Sequence, residues 1–243
     1  MKKFNNTYIF IYSTVLVVVV AAILATVAIV LKPFQQKNME SEQMQMILSA
    51  ANIEVARTDA PQKYAQACKE AFLVNVDGQV VSSKDAEEAK KEAFNIDVKE
   101  QLQKYTDGNK EAKLPIFVCE KDNGEKVYVV PVRGVGLWGA IWGYVALKSD
   151  ANTVESVVFD HEGETPGLGS NIKDDPNFRN KFVGKTIFEG NEFVSVAVEK
   201  RVGTDNPHKV DALTGATLTS NGVSDMLQNG LKFYVSYFNN LKK

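Results

Sequence analysis

Cysteine, histidine and tryptophan are nearly absent from this chain of 243 residues, which has two of each. Cys68 and Cys119 fall short of the four ligands that an iron–sulfur cluster takes. His161 and His208 have no zinc-like spacing, so no metal site is expected. The cysteines would pair in an oxidising compartment, and two separate buried thiols are an equal reading. Positive charge is not in excess either. Lysine and arginine total 28 against 30 aspartates and glutamates, with no basic cluster, which argues against nucleic acid as a partner. There is no internal repeat, no acid–base constellation and no expected catalytic residue.

Charge is also missing from one long stretch, "TYIFIYSTVLVVVVAAILATVAIVL" (residues 7–31). A membrane-spanning helix needs about 20 apolar residues, and Tyr8 and Tyr12 stand near one end, where amphipathic rings favour the interface. The run exceeds the roughly 7–15 apolar residues of a signal peptide, and no A-x-A cleavage site follows it. An uncleaved anchor is therefore expected. Lys2 and Lys3 precede the span and Lys32 and Lys37 follow it, so the positive-inside rule discriminates weakly. A short basic tail before a single span, with a long domain after it, favours an inside amino terminus. The expected organisation is tail and span over 1–34, a stalk or first helix over 35–65, and one domain over 66–243.

Beyond the span, Met39, Gln43, Met46, Ile47 and Ala50 recur at helical spacing. "AFLVNVDGQVV" reads as a hairpin turning at Asp77-Gly78, and "EKDNGEK" as a second hairpin loop. "AIWGYVALK", "VESVVFDH" and "FVSVAVEKR" continue the strand pattern, and Asp175-Pro176 reads as a helix start. Val223, Met226, Leu227, Leu231, Tyr234, Val235 and Phe238 mark one face of a closing helix. Strands in runs with helices near the ends predict an α+β domain, mostly antiparallel.

Three stretches carry possible chemistry. "GVGLWG" (134–139) has the form G-x-G-x-x-G, but β-formers follow it where a dinucleotide site needs a helix. It reads as a glycine-rich turn, with Trp138 either in the core or serving as a platform for a flat ring. "HEGETPGLG" (161–169) is too long for a hairpin turn, and such loops often bind ligands. "DALTGATLTS" (211–220) holds four hydroxyl side chains before the closing helix. One reading makes Thr219 or Ser220 the N-cap. That reading has no need of the slim Thr214-Gly215-Ala216-Thr217, which suits a phosphate beside a helix amino terminus.

"DALTGAT" resembles the D-x-x-[S/T]-G-A-T motif of proteins in which a threonine is joined to the phosphate of FMN by a flavin transferase acting on FAD. With "HEGETPGLG", "GVGLWGAIWGYVAL" and the single span, the whole chain is similar to the C subunits of the sodium-translocating NADH:quinone reductases of bacterial inner membranes. The resemblance implies an α+β FMN-binding domain on the periplasmic side. It implies FMN on Thr217, with Asp211, Leu213, Thr214, Gly215 and Ala216 around it. Trp138, Thr165 and Leu168 are implied at the flavin ring, and Glu164, Gly167 and Gly169 are assigned to the cofactor with them. Thr214 stands where many relatives have serine, and Thr219 competes for the attachment. The implied role is electron relay. Iron–sulfur centres of other subunits feed this FMN, and a second covalent FMN and quinone lie downstream. Sodium movement belongs to polytopic subunits. The other subunits, the flavin transferase and the membrane are the implied partners. Two alternatives are a G subunit of the Rnf complex, which shares the loop and the motif, and a colourless anchored binding domain with no redox role.

Overall fold

The computed structural model describes residues 5–203 and 205–242, so Lys2 and Lys3 of the basic tail lie outside the described residues. The chain divides into two compact units, 1–43 and 44–243. Helix α1 (Asn6–Ala50) makes up the described part of the first and enters the second. Its best 18-residue window has a mean hydropathy of 3.1, and its apolar side chains up to Phe34 are exposed. Thr14 and Thr26 return their hydroxyls to the carbonyls of Phe10 and Ala22, so neither is left unpaired in an apolar setting. The helix fits a transmembrane anchor.

The second unit is built on one antiparallel sheet in the order β1 (Glu70–Asn75), β2 (Lys113–Glu120), β3 (Lys126–Val135), β4 (Ala140–Leu147), β5 (Val154–His161). Period-two alternation gives it two apolar faces. Ile116, Val130, Val132, Val145 and Phe159 point into one core. Phe117, Cys119, Val129, Tyr144 and Ala146 point into the other, with Ile47 and Leu48 from the end of α1 and Tyr64 from α2 (Ala60–Ala67). Cys68 and Cys119 form a disulfide in this second core. Helices α3 (Ala86–Asn95) and α4 (Val98–Thr106) connect β1 to β2, each capped by an aspartate, Asp85 and Asp97. After β5 come α5 (Asn171–Asp174), α6 (Pro176–Asn180), β6 (Phe188–Glu189), β7 (Glu192–Phe193), β8 (Ala197–Glu199) and β9 (Lys209–Asp211). Asp175 caps α6 by accepting from the Asn177 N–H, as expected. Two helices, α7 (Thr217–Lys232) and α8 (Val235–Leu241), close the chain.

The α+β, mostly antiparallel expectation holds, with three local differences. Gly78 makes its turn at φ +77°, but the returning arm is only a bridge from Val80 to Val74, because the chain leaves for the Asp85-capped α3. "FVSVAVEKR" is split by Ser195 at φ +61°: β7 pairs back on β6, whereas β8 runs parallel to β9. The closing helix breaks at Phe233-Tyr234, where the Tyr234 N–H bonds to Leu231 O three residues back and its buried hydroxyl reaches Pro115 O at 3.2 Å. No glycine or proline marks that break in the sequence.

Candidate functional site

Helix α7 lies close along β3 because its contact residues are small. A Cβ on Gly222 would stand 2.3 Å from Val135 O, so only glycine permits this approach. The helix starts at Thr217, a turn earlier than an N-cap at Thr219 or Ser220 would place it. Ala216 occupies the N-cap position and offers no side-chain cap. The orphan N–H groups of the first turn and the positive end of the macrodipole are therefore left for another acceptor. Thr219 and Ser220 are buried inside this turn. Ser220 Oγ instead accepts the N–H of Leu213 at 3.1 Å, which folds the 211–216 segment back on the helix.

Two loops meet this turn. The "GVGLWG" segment is the β3–β4 hairpin, closed by Gly136 N–H to Gly139 O at 2.8 Å, and no helix follows it. The 161–169 loop leaves β5 and folds on itself through Thr165 O, which accepts from the Leu168 and Ser170 N–H groups. Glu164 sits where all three segments converge, 4 % exposed. Its Oε1 accepts the Trp138 N–H at 2.9 Å and its Oε2 accepts the Thr219 hydroxyl at 2.6 Å. Its own N–H donates to His161 Nδ1 at 3.2 Å. A Cβ on Gly136 or Gly169 would stand 2.4 or 2.2 Å from this carboxylate, which accounts for glycine at both positions. Gly215, at φ +78°, brings the backbone beside Leu168.

Several apolar side chains around the turn are exposed. Trp138 is 68 % exposed, so it is not a core residue, and Leu168 is 42 % and Leu218 61 % exposed. Val135 and Leu137 on the hairpin are exposed as well. Thr217 is half-buried, and Thr214 and Gly215 are exposed. A half-buried threonine, an uncapped helix start and exposed apolar side chains together fit an FMN, whose phosphate and flat ring need those features. Of the residues expected from the sequence, Trp138, Glu164, Thr165, Gly167, Leu168, Gly169, Leu213, Thr214, Gly215, Ala216 and Thr217 all fall on these three segments. Asp211 braces a neighbouring loop, accepting the Val202 N–H at 2.7 Å. Sequence reasoning missed Leu218 and Glu162, whose Oε2 accepts the Ala140 N–H at 3.2 Å. The signal for Leu218 was a lone large apolar residue among hydroxyls.

Comparison with known proteins bears on this geometry. The FMN-binding domain family matches residues 136–232, from the hairpin loop to the end of α7. The C subunit of the Na(+)-translocating NADH-quinone reductase of Haemophilus ducreyi is 32% identical, covering 98% of this chain and 97% of that protein. The chain belongs to the C-subunit family of the Na(+)-translocating NADH-quinone reductases. The C subunit of Neisseria meningitidis serogroup A agrees, at 32% identity over 99% of this chain and 97% of that protein. Among solved structures, the C subunit of Parabacteroides distasonis superposes with a TM-score of 0.73 at 40% identity, covering 86% of this chain and 96% of that one. NqrC of Shewanella oneidensis gives 0.67 at 28% identity, covering 84% and 98%. This member of the family thus has an FMN-binding domain behind its apolar helix, and its relatives are parts of a multi-subunit oxidoreductase. These matches decide against the Rnf G subunit and against a binding domain without a flavin.

Proposed function

We propose that this C subunit is a one-electron relay whose FMN is esterified through its phosphate to Thr217 Oγ1. A flavin transferase makes the bond: the threonine oxygen attacks the FMN-side phosphorus of FAD, AMP leaves, and the hydroxyl proton is released. When bound, the flavin supplies the redox chemistry, taking electrons singly and passing them on. The chain's own residues do the rest. Thr217 would hold the phosphate at the N–H groups of the first turn of α7, and Trp138, Leu168 and Leu218 would border the ring and keep water from part of it.

The observation that carries this reading is the contrast between two threonines in one turn. Thr217 is half-buried, whereas Thr219 is 1 % exposed and spends its hydroxyl on Glu164. Both cysteines are engaged in the disulfide and hold no cluster, which supports a reading in which iron–sulfur centres of other subunits feed this flavin. The disulfide also supports an oxidising, periplasmic location for the domain of a single-pass inner-membrane protein.

Peptide mass spectrometry of the full chain, co-expressed with a flavin transferase, tests the assignment. One FMN-sized adduct on Thr217 is expected, with complete loss in Thr217→Ala. An adduct on Thr214 or Thr219, or one that survives Thr217→Ala, overturns it.

A further inference from the structure

We propose that Glu164 is a positioning residue that holds the Trp138 loop and the first turn of α7 at a fixed separation, rather than a ligand of the flavin. This rests on the FMN reading above. Both carboxylate oxygens already have protein partners, Trp138 N–H and Thr219 O–H, and the side chain is buried. Gly136 and Gly169 close on it from two sides, and it is 4 % exposed. The Trp138 indole is exposed, and the base of its loop is held by the Gly136–Gly139 bond, the Glu162–Ala140 bond and the close approach of Gly222 to Val135. One carboxylate therefore connects the aromatic platform to the helix turn that bears Thr217. A charge-assisted bond at each end gives it directional stiffness. Near-complete burial keeps water from competing for either oxygen.

Chemistry at the two ends makes the bonds separable. Glutamine at 164 keeps an oxygen for the Trp138 N–H, and its amide nitrogen can donate to the Thr219 oxygen, since a hydroxyl accepts as well as donates. Alanine at 164 loses both bonds. Valine at 219 loses one and keeps the shape.

The first measurement needs no flavin. In a Trp142→Phe background Trp138 is the sole tryptophan, because the chain has two. Its fluorescence anisotropy then reports the order of the hairpin loop. Glu164→Ala is expected to lower the anisotropy and to raise quenching by acrylamide about twofold or more. Thr219→Val should do the same to a smaller extent, and Glu164→Gln should stay near the parent. The second measurement uses flavinylated protein. Glu164→Ala should raise flavin fluorescence, and adding it to Trp138→Ala should raise it no further, because the two act through one contact. Unchanged anisotropy in both Glu164→Ala and Thr219→Val overturns the proposal, as does an additive fluorescence effect in the double variant. If Glu164→Ala fails to fold, Thr219→Val against Glu164→Gln decides by the same readouts. Absence of FMN from the parent protein would instead refute the esterification at Thr217, leaving the anisotropy result to stand on its own.

Discussion

The two faces of the five-stranded sheet are built by opposite rules. The face that receives the end of α1 is closed: Ile47, Leu48, Cys68 and Cys119 have no exposure, and a disulfide crosses it. At its margin Glu155 binds Lys121 and accepts from Asn52 at 2.7 Å, joining the chain just past α1 to β5. The face that carries α7 has an equally apolar interior but is open at one end, where Trp138, Leu168 and Leu218 remain in contact with solvent. There the segments are held through two carboxylates, Glu164 and Glu162, the Ser220 hydroxyl and several glycines, with no covalent tie. One face makes the fold durable. The other leaves apolar surface uncovered, which stability alone does not favour and a cofactor needs.

Breaking the closed face should therefore cost stability and spare the site. The largest effect is expected from the disulfide. Its two residues are 51 apart in sequence, and losing a native crosslink costs about 2–5 kcal/mol. A Cys68→Ala/Cys119→Ala variant should melt well below the parent, while peptide mass spectrometry still finds FMN on Thr217. Loss of flavinylation in a variant that remains folded would show that the two faces are not separable.

The Glu155 cluster gives a smaller effect with a pH signature. Burial alone would raise the Glu155 carboxyl, but hydrogen bonds from Lys121 and Asn52, with Lys148 nearby, outweigh burial and hold it below the usual carboxylate range. A carboxyl depressed in the folded state stabilises the fold above its unfolded pKa. That contribution is lost as pH falls through its native value. Stability should thus decline below about pH 4. Glu155→Gln should flatten that decline without abolishing it, because Asp150 is lowered too: burial opposes the shift, and hydrogen bonds from Thr153 and Asn152 prevail. Glu155→Ala should cost about 1–3 kcal/mol at neutral pH. The full penalty of a stranded buried charge is not expected, since Lys121 keeps Glu125 at 3.3 Å. Urea titrations at several pH values measure both.

Much of the open face was legible in the sequence because its demands are local. A glycine-rich hairpin, a long polar loop and a hydroxyl-rich helix start each declare themselves within ten residues. What joins them was not legible. Nothing in "HEGETPGLG" says that Glu164 reaches Trp138 in one direction and Thr219 in the other, since those contacts span 26 and 55 residues. The break at Phe233-Tyr234 was hidden for the same reason: a tertiary contact to Pro115 ends a helix whose apolar period runs on. The pairing of Cys68 with Cys119 likewise depends on β2 placing Cys119 on the face that α2 covers.

The smallest stability effect and the sharpest test of the open face belong to Trp138. A tryptophan in the core would cost about 3–5 kcal/mol on truncation to alanine. This one is 68 % exposed, so Trp138→Ala should change stability by no more than about 0.5 kcal/mol. Thr217 and its turn are untouched by the change, and flavinylation should proceed as before. If the indole packs on the flavin ring, its removal takes away a quencher, and flavin fluorescence should rise. The contact is worth about 0.5–1.5 kcal/mol beyond area burial, and it matters to an electron carrier only as a difference between redox states. For a one-electron couple about 59 mV is a tenfold change in equilibrium constant. A difference near 1 kcal/mol between states would therefore move a midpoint potential by tens of millivolts. Redox titration and emission spectra of the variant measure both shifts. If the potential and the emission match the parent while stability falls by several kcal/mol, Trp138 supports the fold rather than the flavin, and the contrast between the two faces fails at its most exposed residue.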